Sequence, residues 1–122
     1  MEFLVDKHLT CICVLCIKPH LDMLSFLERM NKHIGKNKLY DIYLLCDDNT
    51  QSYAKYSKDI QIIQVDENVC KENGYINANY CIPKTPSAWD KALYFFKHRN
   101  IYDRYWFLEE DVFVPNIDTI RQ

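Results

Sequence analysis

Leu9-Thr10-Cys11-Ile12-Cys13-Val14-Leu15-Cys16-Ile17 is apolar at almost every position. An apolar run of this kind, partly β-branched and showing no alternation, predicts a strand covered on both faces. Pro19 ends it. Met23, Phe26, Leu27, Met30 and Ile34 then recur at helical spacing, with Asp22, Glu28, Arg29 and Lys32 falling mostly elsewhere, and Gly35 is a natural stop. This spacing predicts an amphipathic helix. Leu39 to Cys46 reads as a second strand and runs straight into Asp47-Asp48-Asn49. A short helix is expected near 51–57, and a third strand over Asp59 to Val65, where Ile60, Ile62, Ile63 and Val65 cluster. Residues 66–84 are polar and have no clear period. A stretch of that length inside a small domain is either a functional loop or holds an element the pattern does not reveal.

Thr85-Pro86-Ser87 opens the next helix, with Thr85 suited to the N-cap and Pro86 to the first helical position. Trp89, Ala92, Leu93 and Phe96 form its expected buried stripe, with Asp90, Lys91, Tyr94, Lys97 and His98 on the other side. A fourth strand, Tyr105-Trp106-Phe107-Leu108, is again apolar on both faces and runs into Glu109-Glu110-Asp111, then Val112-Phe113-Val114-Pro115. A sheet that stops there leaves an edge near 112–114 in need of cover. The order is β-α-β-(α)-β-loop-α-β. It predicts one domain over residues 1–122 with a Rossmann-like, three-layer α/β/α architecture and a mostly parallel sheet of about four strands. In such sheets ligands sit at the carboxyl ends of the strands.

Composition narrows the chemistry. Lys plus Arg number 15 and Asp plus Glu 17, a formal net charge of −2, so the chain has no broad positive field for nucleic acid. No apolar run approaches the roughly 18–20 residues of a membrane span. The first residues, Met1 to Lys7, lack the basic start and long apolar core of a signal peptide, so the expected location is cytoplasmic. Only two glycines occur, Gly35 and Gly74, too few for a dinucleotide fingerprint or a phosphate loop. The six cysteines, Cys11, Cys13, Cys16, Cys46, Cys70 and Cys81, are expected to be buried, reduced and packed as small hydrophobes. On a strand, Cys11 and Cys13 point to one face and Cys16 to the other, which does not suit one tetrahedral metal.

His8, His20, His33 and His98 show no metal spacing, although His20 lies close to the expected ligand edge. Trp89, Trp106 and the phenylalanines read as core. Tyr75 and Tyr80 are loop aromatics that could stack on a base. No serine stands in a glycine elbow, so no activated nucleophile is visible.

The polar strand ends carry the candidate chemistry. They are Lys18-Pro19-His20 after the first strand, Asp47-Asp48-Asn49 after the second and Glu109-Glu110-Asp111 after the fourth. Consecutive acids at the end of a buried strand repel one another unless a cation offsets them. Alternation puts Glu109 and Asp111 on one side and Glu110 on the other. Two carboxylates on one side are oxygen ligands suited to a hard divalent ion, manganese or magnesium, which would also bind a substrate phosphate.

The segment Trp106-Phe107-Leu108-Glu109-Glu110-Asp111-Val112-Phe113 resembles the D-x-D-like metal motif of glycosyltransferases with the GT-A fold. The preceding helix, Ser87-Ala88-Trp89-Asp90-Lys91-Ala92, fits the same resemblance, which spans roughly residues 9–115. It implies the nucleotide-sugar-binding half of such an enzyme, with a UDP- or GDP-linked sugar as donor and an unknown acceptor. In this resemblance Glu109 and Asp111 reach the metal, Asp111 directly. Glu110 faces the sugar or ribose, and Asp47 or Asp48 bonds the base or ribose. Ile17 and Lys18 pack the nucleoside, and Asp90 and Lys91 lie on the helix that meets the donor sugar.

The first acid is Glu where the motif has Asp, one methylene longer. Only 11 residues follow Asp111, where members of the family continue into an acceptor half. The expectation is therefore either the amino-terminal part of a longer protein or a short form with little or no transferase activity. The alternative is a non-catalytic nucleotide-binding or interaction module with the same fold. A nucleotidyltransferase, the third reading, usually has a glycine-rich loop near the first strand, which this chain lacks.

Overall fold

A computed structural model describes residues 9–34, 39–76, 86–99 and 101–110. The elements run β1 (Thr10–Cys16), α1 (Leu21–Ile34), β2 (Tyr40–Cys46), a single 3-10 turn (Ala54–Tyr56), β3 (Gln61–Ile63), α2 (Glu67–Glu72), α3 (Ala88–Lys97) and β4 (Arg104–Glu109). The four strands form one sheet in the order β3-β2-β1-β4, and every pairing is parallel. β1 lies at the centre, in register with Tyr40–Cys46 on one side and with Arg104–Glu109 on the other. The expected parallel α/β fold is the fold observed. Among the described residues no helix is long and apolar enough to cross a membrane.

The alternation of side chains along each strand divides the core in two. Val14, Cys16, Ile42 and Leu44 pack with Met23, Leu24 and Leu27 of α1. Cys11, Cys13, Leu15, Leu45 and Ile63 pack on the other face with Cys70 of α2 and Ala92 and Phe96 of α3. α1 therefore covers one face and α2 with α3 the other, the three layers expected of parallel strands buried on both sides. Cys11 and Cys13 fall in one cluster and Cys16 in the other, as strand alternation requires. All five described cysteines are free and buried. Burial pushes the Cys11 thiol up to about 12, with help from Asp41, so it stays protonated and behaves as a small apolar group. Cys81 lies outside the described residues.

Several local expectations shift. The polar stretch after β3 contains α2, whose N-terminus is capped by the Asp66 side chain accepting from the Asn68 and Val69 amides. α3 begins two residues later than the Thr85-Pro86 reading implied. Its N-cap is Ser87, whose hydroxyl accepts from the Asp90 amide while the Asp90 carboxylate accepts from the Ser87 amide, a reciprocal capping box. Thr85 is outside the described residues. The buried face of α3 carries Lys91, Ala92 and Phe96, whereas Leu93 is half-exposed and Trp89 lies partly in solvent. Lys91 is thus on the buried side, not the outer one. Trp106 was expected in the core and is 60% exposed. The cause is position: among the described residues β4 is the outermost strand on its side, and α1 sits over β1 and β2 on that face.

At the amino ends of the strands, the Tyr102 hydroxyl donates to Asp41 Oδ2 at 2.6 Å and is hydrogen-bonded to the Tyr43 hydroxyl. Burial, then the adjacent Asp41 carboxylate and Tyr43, raise Tyr102 far above an ordinary tyrosine. The pair closes the bottom of the α3-side core around Phe96.

Candidate functional site

The opposite, carboxyl end of the sheet is where the polar groups gather. Beyond their last paired residues, β1 and β2 stay joined. The Asp47 amide donates to the Cys16 carbonyl at 2.9 Å and the Asp48 amide to the Ile17 carbonyl at 3.0 Å. These bonds place Ile17, Asp47 and Asp48 side by side at the sheet edge. They form one wall of an open cleft of about 730 Å³. Asn49, Thr50 and Gln64 continue that wall, and Asp66, Glu67 and Asn68 at the start of α2 form the other.

The walls are tied together by side chains. Gln64 Nε2 donates to the Asp48 carbonyl at 2.9 Å and to the Gln51 carbonyl at 2.7 Å, while its Oε1 accepts from the Tyr53 amide at 3.0 Å. Asn49 Nδ2 donates to the Val65 carbonyl at 2.7 Å. The Asp48 carboxylate accepts from the Tyr53 hydroxyl and from the Thr50 hydroxyl and amide. These donors hold the Asp48 carboxyl below the usual aspartate range, the Tyr53 bond contributing most. The native form therefore binds fewer protons than the unfolded chain. The resulting stabilisation is present above the unfolded value, about 4, and is lost as pH falls through the lower folded value. Asp48→Asn is expected to be less stable than the parent at pH 7. The difference should shrink as pH falls below about 4 and vanish only below the lower folded value, as measured by urea midpoints across pH.

Lys91 is the least expected member of the site. Its side chain is fully enclosed, and Nζ donates to Asp47 Oδ1 at 2.7 Å, to the Asp47 carbonyl at 2.9 Å and to Glu67 Oε1 at 3.3 Å. An ammonium has three protons, and here all three are taken. Lys91 therefore joins the β2 end to the α2 start beneath the cleft floor. It does not present a free cation to a ligand. Asp90 is likewise engaged, its Oδ2 accepting from the Ser87 amide at 2.8 Å and hydroxyl at 2.9 Å. Ile17 is 65% exposed and gives the polar cleft one apolar surface. Lys18 is exposed and lies near enough to Asp48 to favour its charged form.

The fourth strand end adds two carboxylates that diverge as alternation requires. Glu109, paired in register with Leu15, is on the α3 side, where its Oε1 accepts from Trp89 Nε1 at 3.0 Å. Glu110 turns to the α1 side, with its Oε2 3.7 Å from His20 Nε2. That oxygen is buried and, among the described residues, has no hydrogen-bond partner. The Cys16 thiol, at the end of β1, is raised to about 12 by burial first, then by Cys46, Glu110 and Asp47. It thus lies between the acids of β2 and those of β4, so both sets border the same strand end. Asp111, the expected direct metal ligand, is outside the described residues.

A buried carboxylate oxygen with no hydrogen-bond donor among the described residues, at an acid-lined sheet edge, is suited to a hard cation. Among the described residues, however, no three His, Cys, Asp or Glu side chains are arranged as a metal site. The cleft is lined by Asp47, Asp48, Asp66 and Glu67, against Lys91, already paired with two of them, and Lys18 near Asp48. An anionic ligand would meet net repulsion here unless it arrived with a cation.

Compared with protein-family models, curated proteins and solved structures, the chain matches none. The site must be read on its own geometry.

Three of its features were not anticipated from the sequence: the Asp66-Glu67 wall, the Gln64 clamp and the buried Lys91. The first had a visible signal, since Asp66-Glu67 follows the third strand as Asp47-Asp48 follows the second. Tyr75, considered as a base-stacking residue, packs edge-on against Tyr94, with the Lys97 ammonium 5.8 Å from its ring centre. Tyr80 is outside the described residues.

Proposed function

We propose that the chain is the nucleotide-sugar-binding half of a GT-A-like glycosyltransferase, taking a UDP- or GDP-linked sugar with a divalent metal. The observation that supports it is the acid lining of the open polar cleft, Asp47, Asp48, Asp66 and Glu67, at the carboxyl end of the sheet, with Glu110 beyond β4 and Asp47 beyond β2 both close enough to the end of β1 to act on Cys16. The cleft has the parts a nucleoside requires. Ile17 offers an apolar face for a base, and Asp47 and Asp48 offer carboxylate acceptors for ribose hydroxyls. Lys91 acts in this reading as a positioning residue for Asp47, not as a substrate contact.

Glu109 and Asp111, as the motif resemblance implies, would hold manganese or magnesium, with Glu110 on the other flank facing the sugar or ribose. Bound there, the ion would neutralise the diphosphate leaving group. The acid excess of the site favours this reading over a metal-free one, because a bare diphosphate would be repelled.

Calorimetric titration with UDP, GDP and their sugars, with and without manganese, tests the proposal. Binding is expected only with manganese and is expected to vanish in Asp111→Ala. Binding without donor hydrolysis would favour a non-catalytic nucleotide module. No affinity for any nucleotide in the presence of manganese would overturn the donor site and leave an interaction module.

A further inference from the structure

Trp89 Nε1 donates to Glu109 Oε1 at 3.0 Å, a bond between α3 and the end of β4. Trp89 lies partly in solvent and Glu109 is exposed, so this bond closes no part of the core. Phe107 and Glu109 are alternate residues of β4 and share its α3 face. The Trp89 indole spans both. Its ring lies against Phe107, with centroids 5.7 Å apart and planes tilted by 58°, and its N–H reaches the carboxylate beyond. The tryptophan also stands on anchored backbone. The Ser87–Asp90 capping box fixes the first turn of α3, and the enclosed Lys91 ties that turn to Asp47 and Glu67.

This contact bears on ion binding in two ways. An exposed glutamate turns about several side-chain bonds, freedom that a ligating carboxylate must give up. The indole N–H, a donor with no acceptor capacity, takes one lone pair of Oε1 and orders the group in advance, while the carboxylate keeps other acceptor sites for an ion. Side-chain length matters as well. Aspartate, one methylene shorter, would draw the carboxylate back toward β4 and away from the indole. The glutamate that stands where the D-x-D-like motif has aspartate is thus matched to Trp89.

We propose that Trp89 is the positioning residue for Glu109, holding its carboxylate ready for the divalent ion, and that Trp89 and Glu109 together replace the first aspartate of the motif. The inference rests on the donor-site reading for its ion and on the indole–carboxylate bond for its geometry.

Two measurements test it. The full chain has two tryptophans, and the Trp89 indole N–H resonance is identified by its loss in Trp89→Phe. Glu109→Gln should move that resonance, because the carboxylate charge is removed from its acceptor. An unmoved resonance overturns the inference with or without metal. Electron paramagnetic resonance of free manganese, titrated into the chain with UDP and with GDP present, reads the ion. Trp89→Phe, which keeps a ring on Phe107, should weaken manganese binding about tenfold. Its melting temperature should stay within a few degrees of the parent, since Trp89 is 39% exposed. Glu109→Asp should weaken binding similarly, and adding Trp89→Phe to it should bring no further loss. Undiminished binding in Trp89→Phe, or additive losses in the double variant, overturns the inference and leaves the donor site standing. A parent that takes up no manganese with either nucleotide, while its indole resonance still responds to Glu109→Gln, overturns the donor site and with it the role given to Trp89.

Discussion

Lys91→Ala is expected to cost about 3–5 kcal/mol of stability, the range for removing one partner from a buried ion pair. The Lys91 stem is fully enclosed, so truncation also leaves a void between α3 and the sheet. Its two acids differ in what they lose. Asp47 is 31% exposed and Glu67 48%, so both can partly rehydrate once the ammonium is gone. Lys91→Met, which keeps most of the stem, isolates the charge and should cost less, about 2–3 kcal/mol after discounting for that rehydration. Thermal melts should show a drop of about 10–20 °C for the alanine variant. A change within a few degrees would mean that the three hydrogen bonds contribute little net energy. If the proposed nucleotide site is correct, Lys91→Met should also weaken nucleotide binding more than its stability loss explains, because Asp47 is held through both its carbonyl and its carboxylate.

Leu27→Ala should cost about 2–5 kcal/mol. Leu27 is fully buried on α1, and α1 is the described helix that covers its face of the sheet, packed on Val14, Ile42 and Leu44. No second helix is described there that could move in to fill the void. Leu21 on the same helix is 75% exposed and provides the internal control. Leu21→Ala should stay within about 0.5 kcal/mol of the parent. Urea denaturation of the two variants distinguishes packing from helix propensity, since both make the same chemical change in one helix.

Much of the architecture was legible because it is written in local patterns. The unbroken apolar run around Cys13 and the helical spacing of Met23, Leu27 and Met30 each reflect burial that repeats within one element, and the Ile60–Val65 cluster marks the third strand, which is shorter than expected, Gln61–Ile63, with Ile60 and Val65 buried just outside it. Their alternation then constrains the sheet to parallel pairing. The acids at the ends of the second and fourth strands could be placed on one edge for the same reason. Other features arise from contacts between distant parts of the chain and leave little local mark. Lys91 reads as an outward-facing charge until the fold brings Asp47 and Glu67 to it, 44 and 24 residues away. Trp106 reads as core because its strand is apolar on both faces, and nothing local states that, among the described residues, the strand is outermost on its side. α2 is one short polar helix whose sequence offers only the Asp66 cap as a signal. The Ser87–Asp90 box was readable from its spacing, but Thr85-Pro86 offered a competing start two residues earlier.

The strand order has a consequence for how the molecule assembles. β1 and β2 can meet as soon as α1 has formed between them, a short crossover. β4 must find β1 across a long separation, with Leu9 and Asp103 94 positions apart yet hydrogen-bonded at 2.9 Å. Closing so long a loop carries a larger entropic penalty and slows the step that depends on it. During synthesis β1 keeps one flank without β4 until the segment some 94 positions further along has emerged. The β1–α1–β2 unit is thus the natural nucleus, and docking of the last strand is the step at which a nascent copy is most exposed to the wrong neighbour.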